Sequence, residues 1–295
     1  MRYAYYPGCS LHSTGIEYDI SLKAVCKALS IEIEEPKGWI CCGSSPAHTI
    51  NHLLSVALPI KNLSLIEKMG AEEVLVPCAA CFSRFKKALY EIEHHPEIMN
   101  KIEEVIDSSF QNRVKVVHPL EFFRDNIETV TSRIKRDLSG LKVVCYYGCL
   151  LTRPPKVMQF DDPGYPMVMD ELMRSVGIEV LDWSYKTDCC GASFSLTETD
   201  IVLKLSHDIL EEARLVGADG IVTACQLCQA NLDMRQQEIE DKYKAKYDLP
   251  IFFFTQLMGL ALGIEEKKLA LNRHLVPVAG VLREKLKGVA GVATE

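Results

Sequence analysis

Two pairs of adjacent cysteines, each followed by glycine, restrict this chain more than any other feature: Trp39-Ile40-Cys41-Cys42-Gly43 and Asp188-Cys189-Cys190-Gly191. Neighbouring cysteines rarely bridge one another, because closing that ring strains the disulfide and the peptide between them. Each pair belongs to a longer pattern. Tyr6-Pro7-Gly8-Cys9 precedes the first pair and Pro77-Cys78-Ala79-Ala80-Cys81 follows it; Tyr147-Gly148-Cys149 and Ala224-Cys225-Gln226-Leu227-Cys228 flank the second. The order C, CCG, CxxC therefore occurs twice, one domain length apart, which marks an internal repeat.

The surrounding residues repeat as well. A short β-rich run, Arg2–Tyr6 or Lys142–Tyr147, leads into the first cysteine, and a helical stretch follows at Ile16–Leu29 or Met167–Val176. After each CCG a long helix is expected, from about Leu53 to Met69 and from Thr197 to Val216, closed by Gly70 or Gly217. A brief apolar strand, Glu73–Val76 or Gly220–Thr223, runs into CxxC; another helix and a last strand, Val114–Val117 or Ile251–Phe254, complete each unit. Strands alternating with helices predict parallel βαβ units, so the expected fold is α/β: two pseudo-repeated, doubly wound, Rossmann-like domains with one five-cysteine site each. The expected division is 1–139 and 140–295, at Ser139-Gly140. Cys9, Cys78, Cys149 and Cys225 then fall just past strand carboxyl ends, the edge along which open α/β sheets build their sites.

Hydrophobic residues make up 48% of the 295 and charged residues 25%, enough apolar material for a substantial core. A net charge of -7 argues against nucleic-acid binding. The start, MRYAYYPGCS, lacks a signal-like apolar run, and nothing approaches the roughly 18 apolar residues of a membrane span. Ile251–Leu262 is too short and contains Gln256. A cytoplasmic protein is the expectation, and in a reducing compartment 12 cysteines point to metal or redox chemistry rather than disulfides.

Each half supplies five repeated cysteines: Cys9, Cys41, Cys42, Cys78 and Cys81, then Cys149, Cys189, Cys190, Cys225 and Cys228. Structural zinc takes four ligands, and ordinary iron–sulfur clusters also take four. A fifth thiol is either a bystander or a ligand of a cluster of unusual shape. Adjacent thiolates suit the second case, since they can hold or bridge neighbouring irons where glycine lets the backbone come close. Cys26 and Cys145 lie outside the repeat and read as core residues.

With both sets complete, the chain resembles the tandem CCG, or cysteine-rich, domain found in the B-type subunit of heterodisulfide reductase, soluble methanogen form. The resemblance implies two [4Fe-4S] clusters of non-cubane form, one per domain, held by the ten repeated cysteines. It implies reduction of the coenzyme M–coenzyme B mixed disulfide to its two thiols, the last step of methanogenesis. It also implies partners: a ferredoxin-like iron–sulfur subunit, a flavin-containing subunit upstream of it, and a larger complex with a hydrogenase or formate dehydrogenase. No CxxCxxCxxxCP run occurs in the chain, so electrons are expected from a separate polypeptide. CCG relatives also serve lactate, succinate/fumarate and glycerol-3-phosphate oxidoreductases, which makes an electron-relay role the alternative. A zinc-stabilised interaction protein is a third reading, overfilled by five thiols.

The mixed disulfide carries sulfonate, carboxylate and phosphate groups and needs cations near the cysteines. The candidates are His12, Arg84, Arg153, Lys156 and Lys186, with surface or structural roles weighed against them. The symmetry of the motifs favours participation of both clusters in cleavage, one at each sulfur; the alternative is that one half is catalytic and the other relays electrons or is structural. The segment from Gly263 onward reads by default as a solvated tail, with Lys267-Lys268 and Arg273-His274 as a possible docking face.

Overall fold

The computed structural model describes residues 2–286. Its first half runs β1 (Arg2–Tyr5), α1 (Ile16–Ala28), β2 (Glu32–Glu34), α2 (Ser44–Ile50), α3 (His52–Lys68), β3 (Glu73–Leu75), α4 (Ala79–His94), β4 (Lys115–Val117) and α5 (Pro119–Asp125). The second half repeats this plan as β5 (Lys142–Tyr146), α6 (Val168–Ser175), β6 (Glu179–Val180), α7 (Thr199–Leu215), β7 (Gly220–Thr223), α8 (Gln226–Asp233), β8 (Ile251–Phe253) and α9 (Phe254–Ala261). Short helical turns fill the connections.

The strands form two four-stranded sheets, ordered β2-β1-β3-β4 and β6-β5-β7-β8, with every pairing parallel. Tyr5 pairs with Leu75 and Leu75 with Val117; in the second sheet Tyr146 pairs with Thr223 and Thr223 with Phe253. β7 is buried along its length and β5 from Val143 to Tyr146, as parallel sheets covered on both faces require, and so both read as apolar runs. The expected pair of Rossmann-like α/β units is thus present. Two edge strands escaped the sequence pattern. β2 is Glu-Ile-Glu and β6 is Glu-Val, each paired on one side alone and carrying no apolar run.

The halves pack through reciprocal elements. Helix α9 of the second half lies on α1 of the first, and α5 of the first lies on α6 of the second. In the repeat α6 corresponds to α1 and α9 to α5, so the junction has a pseudo-twofold, isologous arrangement. Tyr18 of α1 stacks on Phe253 with ring centroids 4.6 Å apart, and Phe123 meets Phe254 edge-on. Ser21 Oγ and Thr255 Oγ1 share a buried hydrogen bond of 2.7 Å across the same seam. Phe123, Phe253 and Phe254 are completely buried, and truncating one such ring to alanine costs about 3–5 kcal/mol.

The carboxyl-terminal expectation is corrected as far as residue 286. Leu269, Leu271, Val278, Leu282 and Leu286 are buried in the common core, and the turn Glu266–Leu269 packs on α1. Arg273 pairs with Glu17 at 3.4 Å, and buried His274 contacts the Gln256 side chain. The turn Glu266–Leu269 joins this segment to the first half, while the Leu275 and Val276 N–H groups donate to Asp233 and Lys285 pairs with Asp219 in the second. The Val-, Ala- and Gly-rich remainder lies outside the described residues.

Candidate metal centre

Each cysteine set is gathered at the carboxyl edge of its sheet. β1 and β5 deliver Cys9 and Cys149, and β3 and β7 deliver the CxxC pairs at the starts of α4 and α8. The tyrosine that ends each first strand reaches across to fasten the CC loop. Tyr6 Oη donates to the Ile40 carbonyl and Tyr146 Oη to the Asp188 carbonyl, both at 2.7 Å. Ile40 and Asp188 immediately precede the cysteine pairs, so both bonds fix the same point of the repeat. Asn62 of α3 adds a second clamp to Ile40, accepting from its N–H at 2.8 Å and donating to its carbonyl at 3.0 Å. These supports were not legible as site residues; an aromatic residue closing a strand is common.

Gly8 and Gly148 hold the two strand ends close to the sulfurs. Both have left-handed backbones, φ +69° and +66°. A Cβ on Gly8 would stand 2.8 Å from Cys81 Sγ, and one on Gly148 2.9 Å from Cys228 Sγ. The glycine before the first cysteine therefore has two causes: the backbone conformation and the approach of a thiol.

The thiols are free and lie in close pairs. Cys42 Sγ is 3.1 Å from Cys81 Sγ, and Cys190 Sγ is 3.6 Å from Cys228 Sγ. Cys81 N donates to Cys78 Sγ and Gly191 N to Cys189 Sγ. Hydrogen bonding with Cys41 and Cys81 draws Cys42 down to about 3, and the bond with Cys149 draws Cys189 down to about 6. Their partners Cys41 and Cys149 are pushed up by the same bonds. Within each bonded pair one thiol is thus favoured as thiolate over its partner, and thiolate is the form that binds iron or zinc. Among the described residues no three His, Cys, Asp or Glu side chains surround a single point as one metal ion requires. Five thiols with paired sulfurs and a glycine-opened backbone fit a group of several metal atoms. Cys26 and Cys145 are buried in the core, where loss of solvation pushes their thiols up, to about 12 for Cys26.

The two sets are not equivalent. A cavity of about 410 Å³ lies between the halves, lined by Cys149, Cys189, Cys190, Cys225 and Cys228 of the second set. The first half contributes Ser44, Pro46, Ala80, Ser83 and Arg84 to it, but none of its cysteines. Leu150, Leu196 and Leu227 make much of the remaining wall apolar. Among the described residues lining it, Arg84 carries the one positive charge, and its guanidinium lies 2.8 Å from His48 Nδ1. Arg84 occupies the repeat position of Asn231, which in the second half donates to the Cys190 carbonyl at 3.0 Å. Lys87, one turn beyond Arg84, is held below its usual range by burial and by Arg84 itself, while Cys149 acts in the opposite direction.

The other candidate cations are placed differently. His12 faces Glu35 at 3.4 Å and meets Trp39 edge-on, beside the first set. Arg153 donates to the Pro163 carbonyl and to Thr187, and Lys156 is exposed on its loop. Lys186 is 1% exposed and its ammonium contacts Asp170 Oδ1 at 2.6 Å, the Pro166 carbonyl and Met167 Sδ. All three of its donors are engaged within the fold. Asp170 Oδ2 also accepts from Tyr147 Oη at 2.6 Å, so this buried pair braces the wall of the cavity.

Comparison with known proteins agrees with the duplicated plan. The CCG family, described as the cysteine-rich domain, matches residues 3–86 and again residues 143–233. The chain is 31% identical over 276 residues to the 8-methylmenaquinol:fumarate reductase membrane anchor subunit of Wolinella succinogenes, covering 93% of this chain and 97% of that one. It is 27% identical to a protein of Archaeoglobus profundus that is named as like the B-type subunit of heterodisulfide reductase, covering 92% and 93%. It is also 27% identical to the B-type subunit of the ferredoxin/F(420)H(2)-dependent CoB-CoM heterodisulfide reductase of Methanosarcina acetivorans, covering 91% and 92%. A hypothetical protein from Helicobacter pylori shares the fold, with a TM-score of 0.76 at 13% identity; the match covers 94% of this chain and about half, 52%, of that one. Among the described residues no helix is long and apolar enough to cross a membrane.

Proposed function

This chain belongs to the CCG family of cysteine-rich domains, and from that premise we propose that it is the iron–sulfur catalytic subunit of a heterodisulfide reductase complex. Each half holds one cluster through its five repeated cysteines, and the reacting centre is that of the second half. The observation that carries this reading is the cavity between the halves, walled by all five cysteines of the second set. The bound clusters supply electrons one at a time and a Lewis-acidic site for sulfur. In the reaction R–S–S–R′ plus two electrons and two protons gives R–SH and R′–SH.

The protein's own residues do the rest. Leu150 and Leu227, both half-buried, give the cavity an apolar wall beside the bond to be cleaved, and Arg84 offers its charge to an anionic arm of the substrate. Tyr146 and Gly148 keep the CC loop and the strand end in register with the thiols. The electron donors of this proposal are a ferredoxin-like iron–sulfur protein fed by a flavin-containing one, and Cys9 and Cys41 of the first set are exposed, as is Cys189 of the second. Because none of Cys9, Cys41, Cys42, Cys78 and Cys81 lines the cavity, a cluster held by them would supply one-electron relay and would not contact the substrate.

A second reading is favoured by the charge of the same wall. A single lining cation suits a weakly charged, apolar two-electron carrier such as a quinol, the substrate named for the Wolinella relative. In that case the chain passes electrons between a quinol and a fumarate-reducing partner. Anaerobically purified protein, supplied with reduced viologen, separates the two. Reduction of the coenzyme M–coenzyme B disulfide to both thiols, weakened in Arg84→Ala, supports the first. No disulfide reduction by fully loaded protein, together with cluster reduction by a menaquinol analogue, replaces it with the second.

A further inference from the structure

The repeat makes the two thiol sets look interchangeable, yet one residue ties them together in one direction. Gln226 sits inside the second CxxC, directly after Cys225. Its Nε2 does not serve its own half. It donates to Cys78 Sγ of the first set at 2.7 Å. Both residues are about 3% exposed, so water does not compete for the bond. Gly15 of the first half makes the crossing possible, since a Cβ there would stand 2.7 Å from Gln226 Cβ. The amide Oε1 is buried without a partner among the described residues, so the sulfur, not neighbouring polar groups, orients this side chain.

No reciprocal bond exists among the described residues. The repeat position in the first CxxC is Ala79, which has no donor to send toward Cys225. The second set's nearest side-chain amide, Asn231, comes from its own half and lies 3.6 Å from Cys190 Sγ.

We propose that Gln226 is a positioning residue that sets the reduction potential of the centre in the opposite half, raising it through its N–H bond to Cys78. A hydrogen bond to a cluster thiolate favours the reduced, more negative state, and it is strongest where solvent is excluded. The bond also provides a bonded path between the sets, since Gln226 is covalently joined to Cys225 and hydrogen-bonded to Cys78. This inference rests on the reading that each set holds a cluster.

The test is an anaerobic redox titration, followed by electron paramagnetic resonance, of the unaltered protein and of Gln226→Leu and Gln226→Met. Removal of the donor is expected to shift one midpoint potential to more negative values and leave the other in place. Two unmoved midpoints, or two that move together, overturn the proposal while leaving the clusters intact. Iron and acid-labile sulfide are measured on the same samples; their absence from the unaltered protein removes the cluster reading itself. If neither variant folds, pulsed resonance of the unaltered protein with glutamine-selective 15N labelling decides. Nitrogen coupling is expected on one centre, and its absence from both overturns the bond.

Discussion

The hydroxyl of Tyr146 donates to the Asp188 carbonyl at 2.7 Å, spanning from the end of the first strand of its unit to the residue before the cysteine pair. Without it a carbonyl of the CC loop loses its fixed partner beside the thiols. A neutral hydrogen bond of this kind contributes about 0.5–1.5 kcal/mol. Tyr146→Phe is expected to lower stability in a urea titration by that order and to lower iron retention during gel filtration. Tyr6→Phe should do the same through Ile40. Retention equal to that of the unaltered protein in both would show that the loops are held by the metal alone.

Each thiol set comes from one half of the chain, so the two are expected to load independently. Cys41→Ser and Cys189→Ser are each expected to reduce bound iron and sulfide to about half. Cys26→Ala and Cys145→Ala, deep in the core, should keep full loading despite a stability loss. Elemental analysis of the anaerobically purified variants checks this; complete loss of iron from either serine variant would show that the sets load as a unit.

Lys186 and Asp170 form a buried ion pair at 2.6 Å. Removing one partner of such a pair strands the other charge and costs about 3–5 kcal/mol, whereas replacing both with apolar groups of similar volume is often neutral. Lys186→Met should therefore destabilise strongly, and Lys186→Met combined with Asp170→Leu should recover part of the loss. Equal destabilisation in the single and double variants would mean that the Tyr147 hydroxyl, not the charge, depends on Asp170.

His274 is pushed down to about 4 by burial, against the opposing pull of Glu17. In the unfolded chain an imidazole titrates near 6.5. A depressed folded value means the unfolded state binds the extra proton first as pH falls. The stability associated with neutral His274 is thus complete above about 6.5 and declines toward about 4. Denaturation midpoints measured from pH 7 to pH 4 should fall less steeply in His274→Phe; identical slopes would assign the pH dependence elsewhere.

Much of this architecture was legible because the same signal occurred twice. Gly220–Thr223 matches its expected bounds, and the other long strands and helices fall within one or two residues of theirs. The short edge strands were not legible, since Glu32–Glu34 and Glu179–Val180 offer two or three residues and one exposed face. Burial of Lys186 was hidden for a different reason. Its partner Asp170 is brought near only by the fold, and a lysine between apolar segments reads as a surface charge. The link from Gln226 to Cys78 depends on how the halves dock, and no periodicity within either half encodes that.

The reciprocal packing of α1 on α9 and α5 on α6 is what two identical chains would make around a true dyad. A homodimer of one CCG unit would have the same arrangement. In such a dimer every substitution appears at both sites, so a glutamine reaching the neighbour's cysteine would be answered by its twin. Fusing the two copies into one polypeptide lifts that restriction. Ala79 can then part from Gln226, and Arg84 from Asn231. Two halves on one polypeptide can therefore differ at matching positions, an asymmetry that a true dyad forbids.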